Sequence, residues 1–142
     1  MTKPVYFVDR CLGHALPAAL KAAGWNLEVH DDHFPPAALD PEWLGPVCQK
    51  GWVILTKDKR LRTNDDEASI IRDAKGRVFS LGGGSLKSLE MADRFKTHRG
   101  RIERLVTSEE APYIFSISAH EVVLVRPPWV RQKKPRPNRG SG

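Results

Sequence analysis

Cysteine is scarce in this sequence, and long apolar runs are missing altogether. Cys11 and Cys48 are the whole thiol inventory of 142 residues, so there is neither a disulfide framework nor a CxxC metal pattern. No apolar run approaches the roughly 20 residues that span a bilayer. The opening stretch, MTKPVYFVDR, lacks the apolar core and small-residue cleavage site of a secretory signal. A reducing cytoplasm, away from any membrane, is the expected setting. No internal repeat is visible, which excludes solenoids and propellers. GGGS (82–85) lacks the GK[ST] ending of a phosphate-binding P-loop, so nucleotide hydrolysis is unsupported. HDDH (30–33) holds two His and two Asp, but consecutive residues lack the spacing that lets zinc ligands converge. That segment reads as a polar loop.

Acids are missing from one end. Residues 1–125 carry 17 Lys and Arg against 17 Asp and Glu, whereas residues 126–142 carry six bases and no acid. The entire net charge of +6 therefore sits in the last 17 residues, RPPWVRQKKPRPNRGSG. Rich in proline and poor in apolar side chains, that tail cannot bury enough surface to offset its ordering entropy. It reads as a disordered basic arm suited to nucleic acid or an acidic partner. Residues 1–125 are long enough for a single core.

Within them, strand-like and helix-like segments alternate. PVYFV (4–8), WNLEVH (25–30), WVILT (52–56) and VFSL (78–81) read as strands, and residues 113–125 as a terminal hairpin. Helices are expected over 16–23, 40–51, 64–76 and, as one long element, 85–106. Gly45–Pro46 is expected to kink or shorten the second of these. Such alternation predicts a three-layer α/β/α sandwich around a mainly parallel sheet, with a possible antiparallel C-terminal hairpin. Ligands in these folds bind beyond the C-terminal strand ends, where strand order reverses.

Three acids fall on or near that edge. Asp9 ends the first strand, Asp40 opens the helix that feeds the third, and Asp58 lies two residues beyond the third. Each has a modest explanation alone: a loop cap, a helix N-cap, a turn residue. Together their hard oxygens suit Mg²⁺ or Mn²⁺, which can activate water and stabilise charge developing on a phosphodiester. Lys57, Lys59, Arg60 and Arg62 crowd around Asp58, where bases would grip the phosphates that bare carboxylates repel. Cys11 reads as a small buried hydrophobe rather than a nucleophile.

FVDRCLG resembles the first-strand signature of PIN-like domains, and D-x17-D from Asp40 to Asp58, through EWL…GWVILTKD, is similar to their third and fourth acid motifs. The pattern is most like that of shortened, VapC-type toxin-like members. The resemblance covers residues 5–62 at least. It implies a metal-dependent ribonuclease with Asp9, Asp40 and Asp58 as its acids, a bound antitoxin as partner, and in many relatives a homodimer. Longer PIN domains carry a further acid on a helix between the first strand and the third motif. Only 30 residues separate Asp9 from Asp40 here, so Glu42, or Asp31 or Asp32, is the candidate substitute. If none serves, a catalytically silent RNA- or protein-binding module is the alternative. A signalling receiver domain fits poorly, because strand one ends in a single acid and Asp58 sits among bases.

Overall fold

A computed structural model describes residues 3–82 and 85–125, except the side chain of Arg62. The basic arm, 126–142, lies outside the described residues. Six strands form one sheet: β1 (Tyr6–Val8), β2 (Leu27–Val29), β3 (Val53–Thr56), β4 (Arg77–Leu81), β5 (Tyr113–Ile117) and β6 (Val122–Leu124). The strand order is β2-β1-β3-β4-β5-β6. All neighbours pair in parallel except β5 and β6, which form the antiparallel hairpin at one edge. Among the described residues the α-helices are α1 (Ala15–Ala22), α2 (Asp40–Gln49), α3 (Arg60–Thr63), α4 (Asp65–Asp73), α5 (Ser88–Thr97) and α6 (Arg99–Ser108).

Side-chain alternation along each strand divides the core into two layers. Tyr6, Val8, Val53, Leu55 and Phe79 face α1, α5 and α6, where Leu16, Leu20 and Phe95 meet them. Phe7, Ile54, Val78 and Ile114 face the other way, onto Trp43, Leu44 and Val47 of α2, Leu61 of α3 and Ile71 of α4. The result is the expected α/β/α sandwich. Because β2 and β3 flank β1 on opposite sides, the chain reverses its direction of travel between β1 and β3. A crevice opens there beyond the C-terminal strand ends.

Three local expectations are corrected. The long helix over 85–106 is two, broken at His98, whose Nε2 lies 2.9 Å from the Ser118 carbonyl. Past the break Arg99 donates to the carbonyls of Ala23 and Gly24 at the end of α1, at 2.7 and 3.3 Å, and Ile102 turns into the core. Leu89, three residues before the buried Ala92 and so expected on the same apolar face, is exposed. Pro46 neither ends nor shortens α2. The bond it forgoes would fall on the Glu42 carbonyl, and both residues are exposed, so water can satisfy that oxygen.

Gly76 follows the turn and leads directly into β4, where there is no room for a side chain. A Cβ there would stand 2.6 Å from Cys48 Sγ and 3.0 Å from Ile71 Cγ2. Gly76→Ala is expected to lower unfolding stability by about 1–3 kcal/mol through overpacking, measured by urea denaturation. Gly45→Ala, in α2 with its nearest neighbour at 3.8 Å, should be neutral or stabilising in the same assay.

Candidate metal centre

Asp9 leaves β1 extended, with φ −65° and ψ 144°, and its N–H is held by the Leu55 carbonyl at 3.0 Å. Val8 points into the α1 layer, so the next residue turns toward the α2–α4 side. Its carboxylate is 5% exposed, and its Oδ2 accepts the Thr56 hydroxyl at 2.7 Å. Thr56 Oγ1 in turn accepts the Asp58 N–H at 3.0 Å. One hydroxyl thus ties the end of β1 to the turn after β3. Burial raises the pKa of Asp9; the Thr56 and Cys11 hydrogen bonds work against that rise, and the charges of Asp40 and Asp58 add to it.

Asp40 enters from the opposite layer. It is the first residue of α2 rather than its N-cap, which is Leu39. Its Oδ1 accepts the Trp43 indole N–H at 3.2 Å, and Trp43 is anchored in the core. Glu42 does not approach the cluster through this helix: its Oε1 accepts the Leu39 N–H at 2.6 Å and closes α2's own first turn. Asp31 is also engaged elsewhere, with Oδ1 on Arg10 at 3.2 Å and on His30 at 2.9 Å. Asp32 sits in the same exposed turn after β2, where HDDH forms one turn of 3-10 helix.

The acid that joins Asp40 and Asp58 is one the sequence reading passed over. Asn64 caps α4 by accepting the N–H groups of Asp66 and Glu67 at 2.9 and 3.2 Å. This sets Glu67 on the inner face of α4 beside the buried Ala68 and Ile71. Glu67 is 7% exposed, and its Oε1 is buried with no hydrogen-bond partner among the described residues. Burial, then hydrogen bonding to Asp40 and the charges of Asp40 and Asp58, raise its pKa to about 7. The signal was present in helical spacing. Of the three acids Asp65, Asp66 and Glu67, only Glu67 lies four residues before the buried Ile71.

Arg60 meets these acids in the middle. Its guanidinium bonds Asp58 Oδ2 at 2.9 Å and Asp40 Oδ2 at 3.3 Å, while its backbone N–H bonds Asp58 Oδ1 at 2.9 Å. Burial disfavours the Asp58 charge, but the hydrogen bonds and charge of Arg60 outweigh it and hold that carboxyl below the usual range. Among the described residues, no three His, Cys, Asp or Glu side chains are drawn closely enough together to hold an ion as they stand. The guanidinium bridges two of the acids instead. Lys57 and Lys59 are exposed and line a separate cavity of about 380 Å³ with Gly82, Ser85 and Leu86. Cys11 is exposed, against expectation, with Sγ 3.5 Å from Thr56 Oγ1. Desolvation by the protein beside the sulfur and the Asp9 charge push its thiol up to about 12, so it stays protonated at neutral pH.

Hard oxygen donors at a strand-order reversal, a cationic side chain lying on two of them and a buried carboxylate oxygen without a partner together fit a divalent cation. The family described as "PIN like domain" matches residues 4–83, which spans β1 through β4 and all four acids. The chain belongs to the PIN-like domain family. It is 26% identical over 124 residues to a Mycobacterium tuberculosis protein named "Putative ribonuclease VapC45", covering 84% of this chain and 89% of that one. No solved structure matches it. No helix among the described residues of this PIN-like chain is long and apolar enough to cross a membrane.

The raised pKa of Glu67 gives a test in the absence of divalent metal. An acid whose folded pKa lies above its unfolded value makes the folded state bind the extra proton, so stability falls as pH rises from about 4.5 through about 7. Glu67→Gln should therefore melt higher than wild type at pH 8 in chelator. The difference should vanish near pH 4, as measured by thermal denaturation across that range.

Proposed function

We propose that this chain is a divalent-metal-dependent endoribonuclease, acting as the toxin component of a toxin–antitoxin pair in the cytoplasm. The observation that carries the reading is one guanidinium bonded to both Asp40 and Asp58, with the buried Glu67 electrostatically coupled to both acids and Asp9 tied to Asp58 through Thr56. Asp9, Asp40, Asp58 and Glu67 would hold Mg²⁺ or Mn²⁺. Such an ion supplies a water of lowered pKa and neutralises charge developing on the phosphodiester. Thr56 keeps Asp9 Oδ2 in register with Asp58, and Trp43 does the same for Asp40 Oδ1. Lys57, Lys59 and Arg62 would bind the RNA backbone. Arg60 would join them once its two carboxylates have a stronger cation to hold.

The relative named as a ribonuclease supports RNA as substrate. The VapC name of that relative supports an antitoxin protein as partner, and a homodimer is compatible with it. The alternative, a catalytically silent binding module, rested on a missing fourth acid. Glu67 supplies a carboxylate in that role from α4, after Asp58 rather than before Asp40.

The deciding experiment is cleavage of a mixed pool of tRNA, rRNA and structured RNA with Mg²⁺, Mn²⁺ or EDTA. Asp9→Asn, Asp58→Asn and Glu67→Gln should each lower metal-dependent cleavage by on the order of 100-fold or more. Glu42→Gln should leave it within about threefold, the scatter of a surface change. Variants that cut as wild type does would make the acids structural and favour the silent module.

A further inference from the structure

A second cavity, of about 270 Å³, opens between α1 and β2 and shares Asp9 as part of its wall. Its floor is apolar: Val8 at the end of β1, Val29 at the end of β2, and Pro17 and Ala18 on α1. Its rim is polar and mixed in charge, with Arg10 and Lys21 set among Asp9, Asp31 and His14. This combination differs from the cavity under Lys57 and Lys59, where polar and charged groups dominate. The volume is near the lower limit of small-molecule sites, roughly 300 Å³, and suits one planar ring system rather than an extended ligand.

Arg10 is fixed at this mouth. Its Nε lies 3.2 Å from Asp31 Oδ1, and the same oxygen is bonded by His30 Nδ1 at 2.9 Å. His30 is buried and packs within 6.2 Å of Phe7 and 5.8 Å of Trp43, so the chain Trp43–His30–Asp31–Arg10 runs from the core to the rim. The flat face of a guanidinium at this position offers a stacking surface for a base. Asp31 Oδ2 has no bond among the described residues and can accept from an exocyclic amino group.

We infer that this cavity is a nucleobase pocket, taking one unpaired base of a single-stranded RNA whose neighbouring phosphate lies at the four acids. The inference rests on the nuclease reading above. Apolar walls take the ring, Arg10 and Lys21 take the flanking phosphates, and Asp9, at the end of β1, lies between the cavity and the acids on the other side of the sheet, so that the chain of an RNA crosses the C-terminal edge there. Asp31 favours bases that carry an amino group. The pocket thereby gives the enzyme a base preference at a fixed distance from the cut.

The test is fluorescence anisotropy with labelled single-stranded heptaribonucleotides in EDTA, so that no cleavage occurs, using intact oligomers and a set with one abasic position each. In wild type, one abasic position should weaken binding about tenfold. Ala18→Leu, which fills the floor from an exposed helical site, should erase that dependence while binding the abasic oligomer as wild type does. Lys21→Glu should weaken all oligomers alike and reduce the salt slope by about one. If Ala18→Leu, at unchanged melting temperature, keeps the abasic dependence and the wild-type cleavage positions in metal, the pocket is overturned and the nuclease stands. Loss of protein-partner binding with RNA binding intact would also overturn it, making the cavity a protein site. RNA that is neither bound nor cut by wild type would remove the nuclease reading, and the pocket with it.

Discussion

Four carboxylates gathered at one corner of a protein repel one another, and much of the local architecture manages that repulsion. Two are buried to the point that ionisation is resisted, with Glu67 titrating near neutrality. The other two share a guanidinium. Neither arrangement relieves the field completely, because burial raises the cost of each remaining charge. Only Asp58 gains from its surroundings, whereas ionised Asp9 and Glu67 cost the fold stability, and strained carboxylates of that kind mark a candidate site for positive charge.

Topology makes the corner. Parallel pairing of β1 with both β2 and β3 leaves a crevice at their C-terminal ends, and Asp9 and Asp58 are the first acids past those ends. The α2–α4 layer then brings Asp40 and Glu67 in from above. Trp43 and Ile71 anchor the helices that carry them, so core packing and acid placement are set by the same residues. Thr56 is the hinge of the arrangement. Being fully buried at the last position of β3, its hydroxyl reaches Asp9 on one side and the Asp58 backbone on the other.

The fold was legible because the strand and helix segments carried distinct periodicities, and strand-ending acids could be placed on an edge by topology alone. The further acid was not found, because it was sought after β2, at Asp31 or Asp32, and just past Asp40, at Glu42, close to where longer relatives keep theirs. Glu67 sits instead in a run of three acids that reads as an ordinary helix start, and only its spacing to Ile71 distinguishes it. The turn α3, four residues long, was too short for any period to show, and with it went the position of Arg60. That side chain was expected to face RNA, and here it lies across Asp40 and Asp58. The break at His98 was hidden for a different reason: it depends on contacts with Ser118 and the end of α1, which are remote in sequence.

The order of strands across the sheet also has a temporal meaning. β2 takes one flank of β1, and β3, β4, β5 and β6 then add to the other flank one after another, in the order in which they leave the ribosome. Each new strand covers the edge exposed by the last, so no strand waits for a partner made much later. Asp9, Asp40, Asp58 and Glu67 all lie within the first 67 residues. All four acids are therefore translated before the hairpin that closes the sheet, and Ile114 of that hairpin completes the layer on which their helices pack.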